Sequence, residues 1–469
     1  MENHSGLRKN SLGLGALIFF VVAAASPLTG VVGGLPVAIF AGNGGGIPVI
    51  YILAGIILMI FSVGFIAMSR FVTNSGAFYT YIAMGLGKNS GAAASLVALL
   101  AYFAIQVAVV AMLGFFAVLF IQAHFHLAIP WWVLSIVFLI AGWGLGIRRV
   151  ELGGKVLGVL MLAEVGVVLL LDAAILVKHA GAFTFRSFSP EVFLSGNTGI
   201  AFVFAIASFI GFESTAIYGE ECRNAEKTVP RATICALLII TAFFTLTSWS
   251  IVQTSDFSTI AGAAANDPGN YIAGIARTYL GGWSVEVISL LLVSSLFAAS
   301  LAFHNNISRY IYNASRDGLF FSLFSRTHAA HGTPHQASHL QSLIVILFFV
   351  LCGAVGLDPV TQIFALGSAL ATLAILVLQA GVSAAVICFF RRGGGPAVAK
   401  WKVVWMPLLS LVLMLITTAL VVKNLHELSG STSLLVDVLP AAIVICMIFG
   451  YGLSVRRGMV KRSTADVQT

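Results

Sequence analysis

The chain has 469 residues, of which 59% are hydrophobic and only 9% are charged, and its mean hydropathy is +1.01. A soluble protein of this size carries about 25% charged residues, so this chain has too little polar surface to cover a globule in water. The composition therefore excludes a soluble globular protein and predicts a polytopic membrane protein. The five cysteines show no metal-ligand spacing, so we expect free thiols, no metal and no cofactor.

Twelve apolar segments are candidates to cross a bilayer as helices, which takes about 20 residues each, and the fourth of them is short. Numbered as spans 1 to 12, they are residues 13–40, 47–69, 91–122, 131–147, 152–177, 198–218, 232–254, 283–308, 338–356, 360–390, 403–422 and 433–454. With the N-terminus in the cytosol, only four of the 25 lysines and arginines fall in outer segments, namely Lys178, Arg186, Arg277 and Lys423. Cytosolic loops carry the excess of basic residues, so both termini are predicted to be cytosolic. The net charge of +8 reflects this distribution and does not indicate nucleic acid binding.

Spans 1 and 6 each contain residues that interrupt a helix. Span 1 carries Ser26-Pro27-Leu28-Thr29-Gly30 at its centre, where proline removes a backbone donor and glycine loosens the chain. Span 6 places Gly211 close to the carboxylate Glu213. The alternatives are a simple proline kink in span 1 and close helix packing at Gly211. Paired interruptions in corresponding spans of two halves predict the binding site of a transporter.

Four motifs stand out along the chain: MSRFVTNSGAFYTYIAMGLG (68–87), SFIGFESTAIYGEECRNAEKTVPRAT (208–233), HNNISRYIYNASRDGLF (304–320) and GTPHQASHLQS (332–342). In this order they resemble the end of helix 2 with its amphipathic segment, helix 6 with its loop, the end of helix 8 and the start of helix 9 in the amino acid–polyamine–organocation (APC) transporter superfamily. The resemblance extends over nearly the whole chain. One departure lies in span 1, where many members carry Gly-Ser/Thr-Gly and this chain carries Ala25-Ser26-Pro27-Leu28-Thr29-Gly30.

The resemblance implies an all-α polytopic fold of 12 transmembrane helices, built as a five-plus-five inverted repeat (the leucine-transporter-type core) with broken helices 1 and 6. It divides the chain into a cytosolic tail (1–12), a first repeat (13–178), a second repeat (198–392), two additional helices (401–455) and a cytosolic tail (456–469). Substrate would lie between the broken helices, where free peptide groups suit a zwitterion. The expected substrate-binding residues are Ala25, Ser26, Pro27, Thr29, Gly30, Ser208, Phe209, Gly211 and Phe212.

Three carboxylates lie inside predicted spans, where ionisable groups are costly and usually functional. By the resemblance, Glu164 stands where some members have a lysine, near the place where sodium-coupled relatives hold the ion against helices 1 and 8. We expect Glu164 to couple a proton, and a cation ligand or an acid packed against helix 8 are the alternatives. Glu213 is the second proton-coupling candidate, and a partner for the substrate amine or a brace for the unwound segment are its alternatives. Asp172 is expected at the membrane interface.

The sequence therefore predicts a secondary transporter in the cell membrane that imports amino acids by proton symport with alternating access. A polyamine or organic-amine carrier and an amino acid exchanger are the alternatives, as is sodium in place of the proton. An embedded enzyme or an ATP-driven pump would need a nucleophile–base pair, a metal cluster or a phosphate-binding Gly-Lys-Ser/Thr, and the sequence shows none of them. A sensor would usually append a soluble domain, for which neither tail is long enough. The expected partners are an amino acid or amine, the proton and the lipid bilayer.

Overall fold

The structure is a computed structural model that describes residues 12–72, 76–148, 151–328, 331–395, 398–429 and 434–457. Within these ranges the regular elements are helices, and one isolated bridge joins Leu12 to Cys222. An all-α, multi-pass membrane protein is thereby confirmed. Most of the two predicted tails, 1–12 and 456–469, lies outside the described residues.

The principal helices are numbered here in chain order. They are α1 (Leu14–Ala25), α2 (27–43), α3 (Ile47–Ser69), α4 (Ala77–Leu86), α5 (Lys88–Phe125), α6 (Trp131–Arg148), α7 (Glu151–Lys178), α8 (Thr198–Ala207), α9 (Ser214–Ile217), α10 (Ala225–Val252), α11 (Ile260–Asn266), α12 (Tyr271–Leu280), α13 (Trp283–Arg316), α14 (His335–Val355), α15 (Pro359–Arg391), α16 (Trp401–Lys423), α17 (Leu425–Ser429) and α18 (Leu434–Arg456). Short helices at Gly44–Gly46, Arg186–Phe188, Pro190–Phe193, Gly219–Glu221 and Ser322–Ser325 connect them.

Nine helical stretches of the described residues are long and apolar enough to cross a membrane, with Leu14–Ser69 counted as one stretch. Shorter apolar helices are Ala77–Leu86, Trp131–Ile147 and Thr198–Ala207. The predicted spans coincide with these helices except at some ends and at the interruptions within spans 1 and 6. Span 8 was predicted to end at residue 308, but α13 continues to Arg316, and α10 begins at Ala225 rather than at residue 232.

The first helix is interrupted at Ser26. α1 ends at Ala25, and Ser26 adopts φ 46° and ψ 71° before a new helical segment starts at Pro27. The cause is Pro27, which has no N–H to donate and disfavours the right-handed helical conformation in the residue before it. Proline is well suited to the first turn of a helix, so α2 begins at once.

A second interruption separates α8 from α9. Residues 208–213 form consecutive turns, and Gly211 within them adopts φ +109°. Side chains rarely tolerate this backbone conformation, and a Cβ at position 211 would also lie 2.6 Å from the Cβ of Ala24. The two interruptions therefore face each other at a contact that only glycine accommodates.

The long helices α5 and α13 pack together at the centre of the bundle, and α5 also contacts α15 and α18. Of the residues in the most apolar 18-residue segment of each helix, 61% are buried in α5 and only 17% in α18. Large apolar side chains such as Ile448 and Phe449 are more than half exposed on α18. The last helices therefore lie at the periphery, and α5 and α13 form the walls around the two interruptions.

Candidate functional site

A small, largely buried cavity of about 40 Å³ lies between the two interruptions. Its wall is formed by Ala24, Ala25, Ser26, Thr29, Gly30, Gly34, Ile105, Val109, Phe204, Ala207, Ser208, Phe303, Phe364 and Ser368. These residues come from α1, α2, α5, α8, α13 and α15 and from the two interruptions, at Ser26 and Ser208. The cavity has room for roughly three water molecules at most, so a solute can enter only when the helices move apart.

Five of the nine predicted substrate-binding residues line this cavity: Ala25, Ser26, Thr29, Gly30 and Ser208. The other four are buried but lie outside its wall: Pro27, Phe209, Gly211 and Phe212. Phe212 packs edge-on against Phe61 and Phe65 of α3, with ring centroids 6.1 and 6.2 Å away. Gly211 and Phe212 therefore belong to the second interruption on the side away from the cavity, and their atoms do not line it.

Nine wall residues were not predicted: Ala24, Gly34, Ile105, Val109, Phe204, Ala207, Phe303, Phe364 and Ser368. Most are apolar residues in long apolar helices. Nothing in the sequence distinguishes their three phenylalanines from the rest of the 35 in the chain. Ser368 is a polar residue inside span 10, and that was the one signal that could have drawn attention to it.

Hydrogen-bonded hydroxyl groups connect the first interruption to Glu164. The Ser26 hydroxyl donates to Oγ1 of Thr29 at 2.6 Å and lies 2.8 Å from the Ser295 hydroxyl on α13. Ser295 also lies beside the carboxyl group of Glu164 on α7, whose residue is only 3% exposed. Oε2 of Glu164 has no hydrogen-bond partner among the described residues. Glu164 thus lies behind the cavity wall and is linked to it through two serines.

Glu213 holds the second interruption together. Its Oε1 accepts a hydrogen bond from the Tyr102 hydroxyl of α5, and its Oε2 accepts one from the N–H of Gly211 at 3.1 Å. The next residue, Ser214, accepts a hydrogen bond from Asn306 of α13 at 2.7 Å. Both carboxyl oxygens of Glu213 therefore have partners, and one of them satisfies a peptide group that the unwound segment frees.

Asp172 is buried between helices, and its expected position at the depth of the membrane interface stays a prediction. It is 1% exposed, and the Thr247 hydroxyl of α10 donates a hydrogen bond to its Oδ2 at 2.8 Å. The side chain therefore joins α7 to α10 within the bundle, where a buried hydroxyl needs an acceptor.

A buried ion pair closes one end of the bundle, named the inner end here because its basic residues predict that it faces the cytosol. Nη2 of Arg309 lies 2.8 Å from Oε1 of Glu221, and the two side chains are 9% and 4% exposed. The guanidinium also lies 4.3 Å from the ring centroid of Tyr218. The N–H of Leu12 donates to the Glu221 carbonyl at 3.0 Å, and the N–H of Arg223 donates to the Leu12 carbonyl at 2.8 Å. The start of α1, the loop after α9 and α13 are thereby joined at the inner end.

More exposed polar contacts surround this ion pair. Tyr79 of α4 donates a hydrogen bond to Asp317 at 2.9 Å, just after α13 ends. Burial raises the pKa of Asp317 above its usual value, and the hydrogen bond from Tyr79 opposes that shift. Arg316 and Glu220 lie 3.4 Å apart with partly exposed side chains, so this pair contributes little to stability.

These features define a polytopic helical membrane protein in which two interrupted helices enclose a small, hydroxyl-lined cavity. A family model described as amino acid permease matches residues 12–449, and the chain belongs to that family. This confirms the predicted membership of the APC superfamily.

Three characterised relatives illustrate the similarity. The chain is 27% identical over 297 residues to the branched-chain amino acid permease BcaP of Lactococcus lactis subsp. cremoris, a match covering 59% of this chain and 62% of the relative. It is 25% identical over 251 residues to BcaP of Bacillus subtilis, covering 53% of this chain and 50% of the relative. It is 25% identical over 401 residues to the low-affinity putrescine importer PlaP of Escherichia coli K12, covering 82% and 81%. The chain thus spans about half the length of several curated relatives that it matches.

Proposed function

We propose that this protein imports amino acids across the cell membrane by proton symport with alternating access. The observation that carries the proposal is the set of hydroxyl groups linking the cavity wall at Ser26 to the buried acid Glu164. Membership of the amino acid permease family and relatives named as amino acid or putrescine transporters support a solute of this kind.

The bundle is proposed to contain two five-helix inverted repeats, residues 13–178 and 198–392, followed by two additional helices at 401–455. Three correspondences support this division. An interrupted helix begins each half, at α1–α2 and at α8–α9. Short helices precede the third long helix of each half, α4 in the first and α11 with α12 in the second. Those third helices, α5 and α13, are the two longest and pack against each other.

Proton binding at Glu164 is proposed to reverse hydrogen bonds in the cavity wall. Each hydroxyl group has one proton to donate. A protonated Glu164 donates to Ser295, which donates to Ser26, which donates to Thr29. An ionised Glu164 accepts from Ser295 instead, so Ser26 donates to Ser295 and releases Thr29. The protonation state of an acid behind the wall thereby changes the groups that the wall offers to a solute.

We assign Glu213 the structural role of bracing the unwound segment, because both of its carboxyl oxygens already have hydrogen-bond partners. Glu164 and Asp172 each keep one oxygen without a hydrogen-bond partner among the described residues, and we assign the coupling role to Glu164 because it lies beside Ser295 and the hydroxyl groups of the cavity wall. At the inner end, the ion pair of Arg309 and Glu221 would separate whenever the cavity opens toward the cytosol.

Uptake by the purified protein in proteoliposomes is expected to depend on a proton gradient. With the outer solution acid and sodium absent, a labelled amino acid should accumulate, because protons entering through Glu164 drive the cycle. Adding a protonophore should reduce accumulation to the level of protein-free vesicles. Uptake that requires sodium and persists with the protonophore would refute the proton assignment.

An amine carrier is the second candidate, because the match to the putrescine importer covers 82% of this chain. Buried acids could accept an ammonium group, but the described structure places Glu164 and Glu213 behind the cavity wall. Putrescine uptake in the same vesicles, at the same protein density, separates the two candidates.

A further inference from the structure

The cavity wall combines hydroxyl groups with apolar side chains. Among the residues that the structure describes, its fourteen members are all alanine, glycine, serine, threonine, isoleucine, valine or phenylalanine. From this wall we infer that the transported solute is a neutral amino acid with an apolar side chain. The inference rests on the proposed transport function and specifies its substrate.

A charge on the solute beyond the ammonium and carboxylate groups of a zwitterion would have no partner in this wall. Neither Glu164 nor Glu213 lines the cavity, and both carboxyl oxygens of Glu213 are already engaged, with Tyr102 and Gly211. Burying a charge without a partner is strongly unfavourable. A diamine or a basic amino acid would bring an extra ammonium group, and an acidic amino acid would bring an extra carboxylate. The wall therefore selects against all three.

The apolar part of the wall surrounds the position that a side chain would take. α5 contributes only Ile105 and Val109, and α13 contributes Phe303. Phe204 and Phe364 stack with ring centroids 6.1 Å apart and an angle of 30° between their planes. Rings and branched side chains from separate helices can close around an apolar group once the solute has entered.

Ser368 supplies an independent indication that the wall binds a polar group. It is 1% exposed, it lines the cavity, and its hydroxyl has no hydrogen-bond partner among the described residues. Buried hydroxyls almost always have a partner, so an unpartnered one in a cavity wall marks a contact for a ligand. The ammonium or carboxylate group of a zwitterion supplies that partner.

Competition in proteoliposomes tests the substrate class with the wild-type protein. Labelled leucine uptake is measured with unlabelled valine, isoleucine, methionine, phenylalanine, lysine, glutamate or putrescine in excess, and each solute is also tested as a label. We expect only the apolar amino acids to compete and to be taken up. Preferential uptake of lysine or glutamate would overturn the inference but keep amino acid import, whereas preferential uptake of putrescine would overturn both in favour of the amine carrier. Absence of uptake for every solute would overturn both.

A matched pair of variants on α5 tests the position of the side chain. Val109→Ala removes two methyl groups from the wall, whereas Val110→Ala makes the same change at a buried neighbour outside it. We expect Val109→Ala to raise kcat/KM for phenylalanine relative to valine by about tenfold, since one or two methyl groups in a pocket change specificity on this scale. Val110→Ala should leave the ratio unchanged. An unchanged ratio in both variants would contradict the placement.

A second pair, on α15, tests the polar contact. Ser368→Ala should raise the KM for leucine about tenfold, because a hydrogen bond to a charged group is lost. Ser383→Ala is the control, since that hydroxyl donates to the Gln379 carbonyl at 2.9 Å outside the cavity wall. Equal effects of the two changes would exclude Ser368 as a ligand.

Discussion

Gly211→Ala is expected to slow transport strongly while the protein remains folded in the membrane. Position 211 has φ +109°, and an added Cβ would lie 2.6 Å from the Cβ of Ala24. Strain of this kind amounts to about 1–3 kcal/mol, and relief of the contact would move the first interruption away from the second. We expect kcat/KM for uptake to fall by roughly tenfold to a hundredfold, as about 1.4 kcal/mol corresponds to a factor of ten. Uptake is compared at equal amounts of monodisperse protein per vesicle.

Gly166→Ala provides the matched control for that change. Gly166 lies on α7, where an added Cβ would have no heavy atom within 4 Å. Alanine in a helix interior is favoured over glycine by about 0.5–1 kcal/mol, so this variant should transport normally. If Gly211→Ala transports as well as Gly166→Ala, the contact between the two interruptions has no part in the cycle.

Glu164→Gln is expected to separate solute movement from proton coupling. Glutamine has the shape of glutamate and can still hydrogen-bond Ser295, but it cannot bind or release a proton. Exchange of labelled for unlabelled leucine across the membrane should persist, and the Kd should change by less than about threefold. Accumulation driven by a pH gradient should disappear. This is the largest effect on concentrative uptake that we expect from any conservative change.

Glu286→Gln is the matched control for Glu164→Gln. Glu286 also lies on a long helix, α13, but its side chain is 64% exposed and pairs with His124 at 2.9 Å. Its replacement should alter neither exchange nor accumulation. A loss of exchange and accumulation to the same degree in Glu164→Gln would assign Glu164 to packing against α13 instead of to coupling.

The two interruptions could be predicted from the sequence because their causes are local. Pro27 lacks a backbone donor wherever the rest of the chain lies, and a glycine near an acid inside an apolar span indicates irregular backbone. The structure shows both, with Ser26 at φ 46° and Gly211 at φ +109°. Local backbone chemistry therefore identified where the chain leaves the helical conformation.

The cavity wall could not be predicted in the same way because it depends on how distant helices meet. Phe303 and Phe364 become wall residues only through the packing of α13 and α15 around α5. The roles of the acids also depend on distant partners. Glu213 has Tyr102 and Asp172 has Thr247, and neither contact has a sequence signature. A structural acid and a proposed coupling acid are therefore distinguished by their burial and their hydrogen-bond partners. The sequence alone shows neither.

Protection of position 208 by the solute tests most directly whether the two interrupted helices enclose the transport site. Ser208→Cys is made in a chain whose five cysteines are replaced by serine, and Ser248→Cys, buried on α10, is the control. We predict that a small thiol reagent modifies position 208 as the helices part, that this blocks uptake, and that leucine slows the modification. Modification at the same rate with and without a solute that the protein transports would contradict the account.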